Sequence, residues 1–173
     1  MIGLIRNNFD IAVIKAKIKN QFKTVDKMSL TEKTELRKRQ DQDFKIQMLL
    51  KEAEIFQANI SIISTLDNPG DLEKSLLKWL SLSADSYKGS VNMMAKDTRK
   101  NIFPKKIKNI SLSSISHKIK LRGISEMILI GDDLSILMIE DNPVIVRDSR
   151  HAAYVAKIMN HSVEIAVLES KFE

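Results

Sequence analysis

ANISIISTLDNPGDLEKSLLKWLSLSADSYKGSVNMMAK, residues 58–96, reads as strand, turn, helix, strand. Ala58–Leu66 is an isoleucine-rich apolar run, too short for a helix and closed by Asp67-Asn68-Pro69-Gly70. Asp71 is placed to cap a helix by accepting a bond from one of its free N–H groups. Leu72, Leu76, Leu77, Leu80, Ala84 and Tyr87 recur at helical spacing and make one apolar face. Gly89 is expected to end that helix, since glycine enters the left-handed conformation without steric cost. Ser90–Ala95 is the second strand. A strand, a crossover helix and a strand predict a parallel pair wound right-handed.

Upstream, Ser29-Leu30-Thr31-Glu32 matches a capping box, and a helix is expected over 30–56. Its first half is polar apart from Leu36, as in a solvated or projecting helix. From Phe44 it turns apolar, with Ile46, Met48, Leu49, Leu50, Ala53 and Phe56. Residues 1–43 are therefore read as a helical arm for dimerisation or partner contact, and 44–173 as the α/β domain. Earlier still, Ile5, Phe9, Val13, Ile14, Ile18 and Phe22 have helical spacing, with Arg6, Lys15, Lys17 and Lys19 opposite. Such a helix packs on its own domain or a second copy, or lies on a membrane or nucleic acid.

Downstream, apolar runs at 110–115, 118–124, 126–130, 135–140 and 143–146 are separated by short turns, which predicts antiparallel pairing. Asp148 or Ser149 caps a last helix, continuous over 149–172, against a rival reading that breaks it at Asn160-His161-Ser162. The expected fold is α/β: a mixed sheet with a parallel βαβ unit plus antiparallel strands, preceded by an N-terminal helical arm.

An apolar content of 43% over 173 residues suffices for one real core. The absence of cysteine excludes a disulfide scaffold and thiolate metal sites. The start shows neither a signal peptide nor a run able to span a bilayer, so the expected location is cytoplasmic. The net charge of +6 is concentrated in Lys96, Arg99, Lys100, Lys105, Lys106, Lys108, Lys118, Lys120 and Arg122, opposed there only by Asp97. This basic middle either keeps the surface solvated or attracts an anionic partner.

Element order carries a resemblance. A projecting helix leads into ANISIIST, then DLEKSLLKWLSLSADSYKG, then SVNMMAK; SHKIKLRGI runs into EMILIGDDLSILMIED and PVIVRDS, then RHAAYVAKIMN. This resembles the phospholipase-D-like sensor domain of archaeal TrmB-type transcriptional regulators, over roughly 44–172. The resemblance implies a small-effector sensor without phosphodiesterase activity, dimerising through a helix that commonly leads to a DNA-binding winged helix. Active phospholipase-D-like enzymes need His-x-Lys, whereas His117 is followed at that spacing by Ile119, His151 by Ala153 and His161 by Val163. The stretch before the arm offers about half of an ordinary winged helix, so the expectation is a sensor-like domain without its reader.

The function expected is thus non-enzymatic regulation by ligand sensing, with a basic nucleic-acid-binding or scaffolding protein as the alternative. His117, Lys118, Lys120 and Arg122 are the candidate anion site, read as one basic strand. Lys15, Lys17, Lys19, Arg99, Lys100, Lys105 and Lys106 are the candidate nucleic-acid contacts. No cofactor and no metal are expected: Asp132, Asp133, Glu140 and Asp141 lack EF-hand spacing and suit turns for backbone reasons. No nucleophile elbow or phosphate-cradling glycine loop is present. Expected partners are a second copy, and DNA or a protein.

Overall fold

The computed structural model describes residues 29–83, 85–96, 110–116 and 118–171. Three helices lie among them: α1 (Leu30–Phe56), α2 (Asp71–Ser83) and α3 (Ser149–Glu169). The strands are β1 (Ile60–Ser64), β2 (Val91–Lys96), β3 (Ile110–Ile115), β4 (Ile124–Ile130), β5 (Leu134–Ile139) and β6 (Asn142–Arg147). The chain divides between Gln42 and Asp43, within α1, into two compact units.

The six strands form one mixed sheet in the order β3-β2-β1-β4-β5-β6. β1 runs parallel to β2, Ile60 facing Val91 and Ile63 facing Met94, so α2 is the crossover helix expected from residues 58–96. β4, β5 and β6 continue antiparallel from β1. β3 departs from the antiparallel expectation, since it lies parallel to β2. Its link to β2, over 97–109, has the dozen or so residues that a crossover requires.

Side-chain alternation on the strands separates two cores. Ile60, Ile62, Val91, Met93, Ile128, Ile130, Leu134 and Ile136 point to one face, where they pack with α1 and α2. Those helices contribute Ile46, Leu50 and Ala53, and Leu72, Leu76, Trp79 and Leu80. Ile63, Met94, Met127 and Leu137 point to the other face, against Val155 and Met159 of α3. β1, β4 and β5 are thus buried on both sides, which explains their near-continuous apolar sequence.

Helix ends follow identifiable chemistry. At the start of α1 the Ser29 N–H donates to Glu32 Oε2 (2.7 Å) and the Glu32 N–H to Ser29 Oγ (3.2 Å), a reciprocal capping box. Its far end is a Schellman turn: the Ala58 N–H reaches Ala53 O (2.9 Å) and the Gln57 N–H reaches Glu54 O (3.2 Å). Gln57 takes the left-handed position usually given to glycine, with φ 51°. Its side-chain amide offsets that strain by donating to Ser86 O (3.1 Å) and accepting from the Lys88 N–H (2.6 Å). α3 is one continuous helix capped by Asp148, whose side chain accepts from the His151 N–H.

α2 corrects two expectations. It ends at Ser83, so Gly89 does not cap it, and Tyr87 lies beyond it. The Tyr87 hydroxyl donates to Ala58 O (2.6 Å), and its ring meets Trp79 edge-on at 4.9 Å. That packing holds the segment after Ser83 against the β1 entry in place of another helical turn. The second correction concerns the start of α2, where Asp71 is not the cap (see below).

Candidate functional site

Two concave regions lie at opposite ends of the α/β unit. The first is at the carboxyl edge of β1, where the β1–α2 turn meets the start of β4. Glu126 of β4 points toward the α1–α2 face and is 1% exposed. Its two carboxylate oxygens accept the N–H groups of Leu72 (3.1 Å) and Glu73 (3.0 Å). Glu126 therefore caps α2 from 53 residues away, the role the sequence assigned to Asp71. Burial pushes its carboxyl above the usual carboxylate range, against the two backbone bonds that favour the ion. A Cβ on Gly70 would collide with this carboxyl, so the turn needs glycine for close approach.

In parallel α/β units this helix end is the natural phosphate seat, because its N–H groups and dipole favour an anion. Here the chain fills it with its own carboxylate. Beside it a cavity of about 300 Å³ is lined by Thr65, Gly123, Ile124, Ser125, Glu140 and Asp141. Glu140 and Asp141 are the two-residue β5–β6 turn, both with positive φ (46° and 61°), as a primed hairpin turn requires. Nearby, Lys96 of β2 pairs with Asp67 at 2.8 Å.

The second region is at the amino edge of β1. A cavity of about 290 Å³ opens between the last turns of α1, the β4–β5 turn and the end of β6. Ala53, Ile130 and Leu134 make its buried floor. Its rim is an ion cluster: Arg147 Nη2 lies 2.9 Å from both Glu52 carboxylate oxygens, and Nη1 lies 3.3 Å from Asp133 Oδ2. The Glu52 bond, foremost, raises the guanidinium pKa still further above neutrality.

The basic residues read as one strand fare differently. Lys118, Lys120 and Arg122 lie in the β3–β4 connection, which is turn-rich and not a strand. The Ile119 N–H bonds to Ser116 O, the Ile124 N–H to Leu121 O, and Gly123 has φ 72°, so the backbone bends where an extended run was expected. The three cations are exposed, while the intervening Ile119 and Leu121 pack on the α3-side core. Lys118 pairs with Glu169 of α3 at 3.5 Å. His117, and all of Lys15, Lys17, Lys19, Arg99, Lys100, Lys105 and Lys106, lie outside the described residues.

Three polar groupings were not legible in the sequence. Glu126 and the Glu52–Arg147–Asp133 cluster are two. The third is Ser135 Oγ, 2.8 Å from His151 Nδ1, close to Asp148. These residue types suggest a hydrolase triad, but the arrangement does not make one. Ser135 is 0% exposed, and Asp148 accepts from the His151 backbone N–H instead of its ring. The pair fastens the first turn of α3 to β5. Among the described residues no group of three His, Asp or Glu is placed to hold a metal ion, and no helix is long and apolar enough to cross a membrane.

No family model, curated protein or solved structure matches this chain.

Proposed function

We propose that this chain is a non-enzymatic, ligand-sensing regulatory domain of the phospholipase-D-like sensor type, serving archaeal transcription regulation and joined to a second copy through its helical arm. The observation that supports a second copy is the two-sidedness of α1 just beyond the arm, where the helix enters the α/β domain. Ile46, Leu50 and Ala53 sit in the core, while Phe44, Met48 and Ile55 are exposed at 66%, 56% and 69%. The exposed three are spaced by four and seven residues, a seam that suits another helix. Antiparallel pairing puts Phe44 on the second copy's Ile55 and brings Lys45 near its Glu52, whereas parallel pairing stacks Lys51 on Lys51. The element order supports the sensor assignment.

The test is the mass in solution. Light scattering on the full chain is expected to give a dimer, and Phe44→Glu with Ile55→Glu a folded monomer. A wild-type monomer at every concentration would sink the dimeric reading.

Nucleic-acid binding is the second reading, favoured by the gathering of Lys118, Lys120 and Arg122 in one exposed connection. It requires affinity for DNA or RNA that drops steeply with salt. Negligible binding at low salt rejects it.

A further inference from the structure

We propose that the cavity at the amino edge of β1 is a binding site for a small organic cation, an ammonium or amidinium group on a compact apolar body. The inference rests on the ligand-sensing reading, for which it names the chemistry. The cavity exists because its lining residues are small where they meet: Ala53 from α1, Ala58 after it, and Gly131 in the β4–β5 turn. A Cβ built on Gly131 would approach only the Ala58 Cβ, at 3.7 Å. The floor is apolar, with Ile130 and Leu134 4% and 2% exposed. It offers contact area to a hydrocarbon or aromatic body, in a volume at the small end of ligand pockets.

The rim decides the sign of the ligand. It holds two carboxylates, Glu52 and Asp133, and one guanidinium, Arg147. Arg147 is already committed to both. An anion entering here would have to displace a carboxylate from Arg147, whereas a cation meets a net negative rim. Phe56, 73% exposed, also lines the cavity, and an aromatic ring attracts positive charge at its face. Glu52, Ala53 and Phe56 all belong to α1, the helix that carries the exposed seam. A ligand seated there touches the inner side of that helix and the Glu52–Arg147 tie between α1 and β6.

The test is a titration of the full chain with three probes of one shape: benzylammonium, benzyl alcohol and benzoate. Calorimetry gives the affinities, and methyl resonances of Ile130 and Leu134 report the location. Benzylammonium is expected to shift those methyls and to bind about tenfold more tightly than benzyl alcohol, with benzoate weaker still. Asp133→Asn, at an exposed position, is expected to weaken benzylammonium two- to fivefold, roughly the worth of one screened charge. Arg147→Gln strengthens it by a similar factor, because it leaves two carboxylates uncompensated. Benzoate binding as well as benzylammonium overturns the proposal. So does an Asp133→Asn variant with unchanged affinity, or silence of both methyls up to millimolar probe. If benzylammonium binds in the cavity but leaves the monomer–dimer equilibrium untouched, the site stands and the sensing role fails. If the dimer responds to another ligand while all three probes are silent, the sensing role stands and this site fails.

Discussion

Glu126 shows how one residue couples two distant segments. Its carboxylate is desolvated, which costs free energy, yet it satisfies two helix N–H groups that would otherwise be buried without acceptors. Glu126→Ala is expected to destabilise by about 2–3 kcal/mol, because the donors stay buried after the acceptor is gone. Glu126→Gln keeps one carbonyl acceptor and is expected to cost about 1 kcal/mol at pH 7. The pH dependence separates charge from shape. A carboxyl raised in the folded state binds its proton more tightly there than in the unfolded chain, so protonation favours folding. The wild type therefore gains stability relative to Glu126→Gln as pH falls from 7 toward the unfolded value of 4.5. Urea midpoints of both proteins across that window check the sign, and a constant gap would contradict it.

Among the elements, α1 is tied to α2 by side-chain bonds. Asp43 accepts from Ser75 Oγ (2.6 Å) and pairs with Lys78 Nζ (3.0 Å), and the Gln47 amide donates to Ser75 O (2.9 Å). These bonds lock α1 to α2 beside their shared apolar contact. The helix ends at a residue under backbone strain, Gln57, and its side chain both suits and opposes substitution. Gln57→Ala loses three side-chain bonds, to Glu54 O, to Ser86 O and from the Lys88 N–H, and keeps the strain. Gln57→Gly loses the same bonds but relieves it, so the glycine variant is expected to be more stable than the alanine variant by about 1 kcal/mol. Urea unfolding of the two variants measures the difference directly. Among the described residues, α3 covers the opposite sheet face together with Ile119 and Leu121 of the β3–β4 connection. Met159→Ala, at a position 1% exposed, is expected to cost about 2–5 kcal/mol by opening a cavity in the core it shares with Ile63, Met94, Met127 and Leu137.

For the whole molecule, the response to acid sets one raised carboxyl, Glu126, against three depressed ones, Glu32, Asp43 and Glu54, the last of them held lowest. Glu54 is 8% exposed and accepts from Ser86 Oγ (2.6 Å), Lys51 Nζ (2.9 Å) and Ser83 Oγ (2.8 Å). Those bonds, the Ser86 bond first, hold its carboxyl down to about 2. A depressed carboxyl contributes stability that is present above the unfolded value of 4.5 and lost as pH falls toward 2. Glu126 acts in the reverse sense at higher pH. Stability is thus expected to rise gently as pH falls from 7 toward the unfolded value of 4.5, and then to fall toward pH 2 as Glu54 and the other depressed carboxyls take up protons. Glu54→Gln is expected to flatten the acid limb only. Denaturation of both proteins between pH 2 and 7 tests this, and an unaltered acid limb in the variant would count against it.

The local pattern of residues 58–96 was enough to establish a strand, a helix and a parallel partner strand, because apolar periodicity is written at short range. The capping box at Ser29 and the unbroken final helix were legible for the same reason. Polar partnership was not. Glu126 reaches its donors across 53 residues and Arg147 reaches Glu52 across 95. Nothing in the spacing of Asp71 or Gly89 announces that a carboxylate 53 residues away takes over the start of α2, or that Tyr87 leaves the helix to bond Ala58 O. Hydrogen bonds and ion pairs choose whichever groups the folded backbone brings within about 3 Å, so only the tertiary structure decided which acid caps a helix, which rims a cavity and which ties α1 to α2.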